Sequence, residues 1–153
     1  AAGLLGKEHA LALLESNCNL ILTDINSEKL FELRKFLISK YSELNIQIFE
    51  LDVTSKESIL NLYEKLQKQG IDINIPINNA ALNPKVEKGN NLTRLESFDI
   101  EAWNLEIAVG LTGAFLCSKI FGHKMATDNK GGVILNIASD LSVIAPDNRL
   151  YHV

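Results

Sequence analysis

Cysteine is scarce in this sequence: Cys18 and Cys117 are the only two. Two isolated thiols support neither a disulfide framework nor a zinc site. They read as buried thiols in a reducing compartment. Basic residues are outnumbered, 15 Lys and Arg against 19 Asp and Glu, for a formal net charge of -4. That balance argues against a nucleic-acid coat, which usually needs a basic face. No apolar run approaches the length needed to cross a bilayer. No basic segment followed by an apolar core opens the chain, so nothing points to export and a cytoplasmic setting is expected. The three prolines and nine glycines are scattered, without a linker or internal repeat. The 153 residues, 46% of them hydrophobic, are therefore read as one domain with a real core.

What is present is an alternation of apolar runs and amphipathic stretches. Lys7 to Glu15 reads as a helix whose apolar side carries Ala10, Leu11, Leu13 and Leu14. Asn19 to Thr23 is an apolar run of strand length. Ser27 is placed as the N-cap of a second helix, in which Leu30, Leu33, Leu37 and Tyr41 recur at helical spacing. Ile46 to Val53 is rich in strand formers. Thr54 and Glu57 form a capping box for a helix that runs to about Gln69 and stops at Gly70. Ile71 to Ile77 is the third apolar run. Pro76 conflicts with it, because proline removes a ladder N–H. Asn83 to Arg94 reads as an exposed polar loop. Phe98, Trp103, Ile107, Leu111, Phe115 and Met125 fall on one long helical pattern, which Gly131-Gly132 breaks before a last strand from Val133 to Ile137.

Strands alternating with helices imply right-handed βαβ units and a parallel sheet. The fold class is α/β, a doubly wound Rossmann sheet. In that topology the strand before the glycine turn Ala1 to Gly6 is central, flanked by those ending at Asp24 and near Asn78. The sequence opens inside that turn. The expected domain, 1–153, is therefore partial, without its first strand and C-terminal third, and with two inner edges exposed. A longer natural polypeptide is expected, and poor folding of this stretch alone.

Polar residues close each apolar run. Gly3, Leu5 and Gly6 belong to a turn whose bare backbone would let a pyrophosphate reach a helix N-terminus, where free N–H groups and the helix dipole favour an anion. Asp24 stands at the right distance after those glycines to accept hydrogen bonds from an adenosine ribose. A carboxylate there repels a 2′-phosphate, so NAD is favoured over NADP. The competing reading of Asp24 is a turn or capping residue before Asn26. Asp52 and Val53 end the next strand, where an adenine edge would lie, with a plain surface turn as the alternative.

Taken together these residues resemble the short-chain dehydrogenase/reductase family, across essentially the whole chain. Asn78-Asn79-Ala80-Ala81 is similar to that family's Asn-Asn-Ala-Gly beside the cofactor. Leu51-Asp52-Val53-Thr54 resembles its adenine-contacting segment, and Val109 to Phe115 its central helix. Asn136-Ile137-Ala138-Ser139 matches the strand end that carries its catalytic serine. The stretches Ala108 to Gly113 and Ala138 to Leu141 further resemble bacterial oxidoreductases of flagellin-modification and surface-sugar pathways. The resemblance implies hydride transfer between nicotinamide and a carbon bearing oxygen. In it a tyrosine passes the proton, a lysine lowers that tyrosine's pKa from about 10, and Ser139 hydrogen-bonds the substrate oxygen. It assigns Asn79, Ala80 and Ala81 to the cofactor. It also implies a homodimer or homotetramer paired through the long helix, a small-molecule substrate, and neither nucleic acid nor membrane as partner.

Several features depart from the family. Tyr151 follows Ser139 at nearly the family interval, but no lysine stands four places on, so a later tyrosine is the better candidate. Gly110 takes the place where many members carry an asparagine that kinks the helix and holds a relay water. The glycine spacing is closer to the branch that works on nucleotide sugars. Two other functions therefore stay open: a non-catalytic dinucleotide-binding module, and a nucleotide-sugar epimerase or dehydratase. Lys85, Lys88 and Arg94 could meet an acidic substrate group, though a solvated loop accounts for them. Trp103, Phe115 and Phe121 read as core or subunit interface. His9 and His123 lack ligand partners, so no metal site is expected.

Overall fold

A computed structural model describes residues 1–82, 95–140 and 143–144. Helices and strands alternate: α1 (Leu4–Glu15), β1 (Leu20–Asp24), α2 (Ser27–Ile38), β2 (Ile46–Glu50), α3 (Lys56–Lys68), β3 (Ile77–Asn78), α4 (Ile100–Ile107), α5 (Gly113–Thr127) and β4 (Leu135–Asn136). A five-residue π-helical turn, Ala108–Thr112, joins α4 to α5. β1 pairs with β2 in parallel, Leu20 opposite Ile46 through Asp24 opposite Glu50. β3 pairs with β4 in parallel, Ile77 opposite Leu135.

The period of two along β1 sends its side chains to two cores. Leu20 and Leu22 join Ala10 and Leu14 of α1 and Leu30, Leu33 and Leu37 of α2. Ile21, between them, packs with Phe49 against the cluster of Ile59, Leu62 and Leu66 from α3 and Cys117 and Phe121 from α5. Helices therefore cover both faces, as a doubly wound sheet requires. Burial pushes the Cys117 thiol up to about 11, so it is protonated and inert at neutral pH.

Several boundaries move from their sequence positions. Asn26, not Ser27, caps α2, its side chain accepting from Lys29 N–H at 2.9 Å, and this frees the Ser27 hydroxyl to donate to Glu50 at 2.5 Å. Ser55, not Thr54, caps α3, accepting from Ser58 N–H. The third strand is two residues long and begins immediately after Pro76, whose carbonyl still accepts from Leu135 N–H. Pro76 thus delimits the strand and does not interrupt it. The single long helix is divided by its π turn. Taken through that turn, 100–127 is one helical run of 28 residues, apolar and long enough by composition to span a bilayer, contrary to the sequence expectation. Its buried line of Gly113, Cys117 and Phe121 instead packs as a core helix.

No hydrogen-bonded ladder joins the two sheets among the described residues. A groove of about 890 Å³ separates them, with Leu20, Leu22 and Thr23 on one side and Ile73, Ile75 and Ile77 on the other. Leu20 N–H donates to Asn45 and Asp24 C=O accepts from Leu51, so even-numbered residues of β1 turn their backbone to β2. Ile21 and Thr23 turn theirs to the groove. Across it, the carbonyls of Asn74, Pro76 and Asn78 serve β4, leaving those of Ile73, Ile75 and Ile77 facing the groove. Among the described residues the two halves share no ladder and are coupled by the side-chain packing of α5 on α3. The polypeptide of residues 1–153 is expected to unfold without one cooperative transition, its far-ultraviolet dichroism and its Trp103 fluorescence changing at different temperatures. Coincident, sharp transitions would show that this packing makes the halves one cooperative unit.

Candidate functional site

The β1 tip, the segment after β2 and the segment after β3 open on one end of the groove. Gly3, Gly6, Asp24, Asp52, Val53, Asn79, Ala80 and Ala81 all line it. Leu5, on the first turn of α1, is 52% exposed and does not line it. Gly3 caps α1 in extended conformation, with no side chain satisfying the first N–H groups. A Cβ on buried Gly6 would lie 2.2 Å from the Ala1 carbonyl oxygen, so the turn closes only over glycine. This bare, uncapped helix end is the kind of backbone that takes a phosphate.

Asp24 faces that turn. One carboxylate oxygen accepts from Ala2 N–H and from the amino-terminal ammonium, each at 2.9 Å, and the other from Asn26 N–H at 3.1 Å. Burial raises its pKa, while the backbone N–H groups of Asn26 and Ala2 lower it. These three contacts leave one of about four acceptor positions for a ribose hydroxyl. The Asn26 contact is the turn bond of the competing reading. Asp52 is held by its own turn. Its carboxylate accepts from both the N–H and the hydroxyl of Thr54, at 2.8 and 2.6 Å.

Asn78 carries a role that the motif alone leaves open. Its amide donates to Asn136 Oδ1 at 2.7 Å and to Ser118 Oγ at 2.9 Å, with Ala114 C=O farther off at 3.4 Å. An amide has two hydrogens, so the two short contacts satisfy it. The signal was present as asparagines closing two neighbouring strands, but Ser118 lies on a helix and only packing reveals it. These bonds fix β3 to β4 and both to α5. Asn78→Ala is expected to cost about 2–3 kcal/mol, read as a lowered denaturant midpoint. A change within experimental error would show the network to be incidental.

Ser139 lies three residues past β4, beyond the bond from Ile137 N–H to Asn78 C=O that continues the β3–β4 ladder. It is exposed, with Asp140 Oδ1 at 3.3 Å from its hydroxyl. It is not among the groove-lining residues. Lys130 pairs with Asp72 at 2.5 Å, tying the segment before β4 to the one before β3. Gly110 lies in the π turn, and a Cβ there would meet nothing within 4 Å. Tyr151, Lys85, Lys88, Arg94 and His152 lie outside the described residues. Phe121 is core, whereas Trp103 and Phe115 are exposed. Among the described residues no three His, Cys, Asp or Glu side chains gather in a metal-binding group.

The family model for short chain dehydrogenase matches residues 1–150. A short chain dehydrogenase/reductase of Gibberella zeae is 32% identical over 139 residues, covering 90% of this chain and 48% of that protein. An NAD-dependent glycerol dehydrogenase of Listeria innocua is 29% identical over 150 residues, covering 98% and 54%. The crystal structure of an NAD⁺-bound xylitol dehydrogenase superposes with a TM-score of 0.82 at 26% identity, over 97% of this chain and 54% of that one. None of these three is described as an enzyme of flagellin modification or surface sugars. The chain spans about half the length of the curated relatives it matches. With its doubly wound sheet and the match along nearly all its length, the chain belongs to the short chain dehydrogenase family.

Proposed function

We propose that the full-length protein is an NAD-dependent oxidoreductase acting on a hydroxyl or keto carbon of a small polyhydroxylated molecule, such as a sugar derivative. The observation that carries this is Asp24. Its carboxylate stands against the bare turn at the α1 N-terminus, at the mouth lined also by Asp52, Val53 and Asn79 to Ala81. On this reading Gly3 and Gly6 admit the pyrophosphate, Asp24 takes the ribose and repels a 2′-phosphate, and Val53 borders the adenine. Bound NAD supplies the hydride acceptor. Ser139 donates its hydroxyl proton in a hydrogen bond to the substrate oxygen and orients it. The relatives that act on glycerol and xylitol support a polyol. They do not support a flagellin-modification pathway, which rests on the Ala108 to Gly113 and Ala138 to Leu141 resemblance alone.

The same proposal makes the protein a homodimer or homotetramer, through the α4–α5 face where Trp103, Leu111 and Phe115 are each more than half exposed. It places the protein in the cytoplasm, in keeping with its free cysteines. Gly110 favours a second reading, a binding module without catalysis, because it offers no side chain to a proton relay. Incubating the full-length protein with NAD and a panel of polyols separates these: net NADH supports the oxidoreductase. Tight NADH binding without turnover supports the module. Conversion of a nucleotide sugar without net NADH would support an epimerase.

A further inference from the structure

Gly110 and Gly113 lie three residues apart on the helical run 100–127, and they differ in kind. A Cβ on Gly110 would enter open space. Gly113 is buried, and a Cβ there would lie 3.0 Å from both Cβ and Cγ2 of Val53 and 3.1 Å from the Val53 carbonyl oxygen. Carbon atoms ordinarily meet at about 3.5–4.0 Å. The backbone oxygen cannot rotate aside as a side-chain tip could, so a methyl at 113 must displace the Val53 segment or the helix.

Neither partner yields easily. On one side, Asp52 N–H donates to Ser58 Oγ at 3.1 Å, the Asp52 carboxylate holds Thr54, and Val53 packs on the α3–α5 cluster. On the other, Ser118 is bonded to Asn78, and Gly113 begins the buried line continued by Cys117 and Phe121. The π turn ends immediately before Gly113. Its widened turn sets the phase in which the residue without a side chain meets Val53. Val53 and Gly113 both line the groove.

We infer that Gly113 is a positioning residue that sets how far Val53 projects into the nucleotide mouth, and so governs affinity for the adenine half of the cofactor. The inference rests on the cofactor placement proposed above. Gly113→Ala in the full-length protein is expected to weaken binding of AMP and NADH about tenfold, leaving nicotinamide mononucleotide within about twofold. A merely structural role would not divide the two halves of the cofactor in this way. Val53→Ala in the Gly113→Ala background removes Cγ2 from the clash and is expected to recover part of the AMP affinity. Should Gly113→Ala not fold, Val53→Ala alone draws back the same wall and is expected to weaken AMP several-fold, again sparing nicotinamide mononucleotide. Wild-type protein that binds NADH, with AMP affinity unchanged in the folded variants, overturns this inference alone. Wild-type protein that binds neither AMP nor NADH overturns both it and the cofactor placement.

Discussion

Replacing Ser139 by alanine is expected to lower kcat of the full-length protein by about 10²–10³-fold while leaving NADH affinity unchanged. A positioned donor that meets a reacting oxygen contributes this much because it need not reorganise as charge develops. The strand that leads to Ser139 is held where a donor must be rigid. Asn78 grips Asn136 at 2.7 Å, and Ile137 N–H continues the ladder to Asn78 C=O. Steady-state kinetics with the polyol found active in the panel, paired with an NADH titration, is the measurement. A kcat that survives the substitution would remove Ser139 from the chemistry, though not the cofactor from its groove.

Asp24→Ala is expected to weaken NADH binding by about 10–100-fold, the worth of one hydrogen bond to a charged acceptor. NADPH should respond in the opposite direction, because the substitution removes the negative charge that opposes a 2′-phosphate. The pH dependence follows from the Asp24 carboxyl, which the backbone N–H groups of Asn26 and Ala2 hold down. A carboxyl held below its ordinary value is ionised at and above that value, so what it contributes is lost only as pH falls through the lowered pKa. Asp24 should therefore impose no change in NADH affinity between about pH 6 and pH 8. Calorimetric titration of both cofactors across that range checks the charge and the hydrogen bonds together. Equal NADH affinities for wild type and variant would leave Asp24 as a turn residue only.

The tips of the sheet were legible because a polar residue ending an apolar run is informative. Asp24, Asp52 and Asn78 each stand where a strand ends or its segment turns, and eight of the nine residues assigned to the cofactor line one groove. Local competitions were harder to read. Asn26 and Ser27 are adjacent and both able caps, as are Thr54 and Ser55, and only the bonds actually formed decide between them. The π turn was hidden because a widened turn of five residues hardly disturbs a 3.6-residue pattern. Leu5 alone of the nine stays outside that groove, because a turn motif does not say which of its side chains faces inward. The contact between Gly113 and Val53 joins residues sixty positions apart, so no local pattern could have shown it. The apolar run before β3 looked like a full strand, yet only Ile77 and Asn78 pair. Pro76 has no N–H to extend that ladder backwards.

Titrating the full-length protein with NADH, AMP and NADPH tests the account most directly, since every assignment depends on an adenine nucleotide lying across the strand tips beside Asp24. The expected result is saturable NADH binding that AMP displaces competitively, with NADPH held more weakly. No affinity for NADH, or NADPH bound more tightly than NADH, would contradict it.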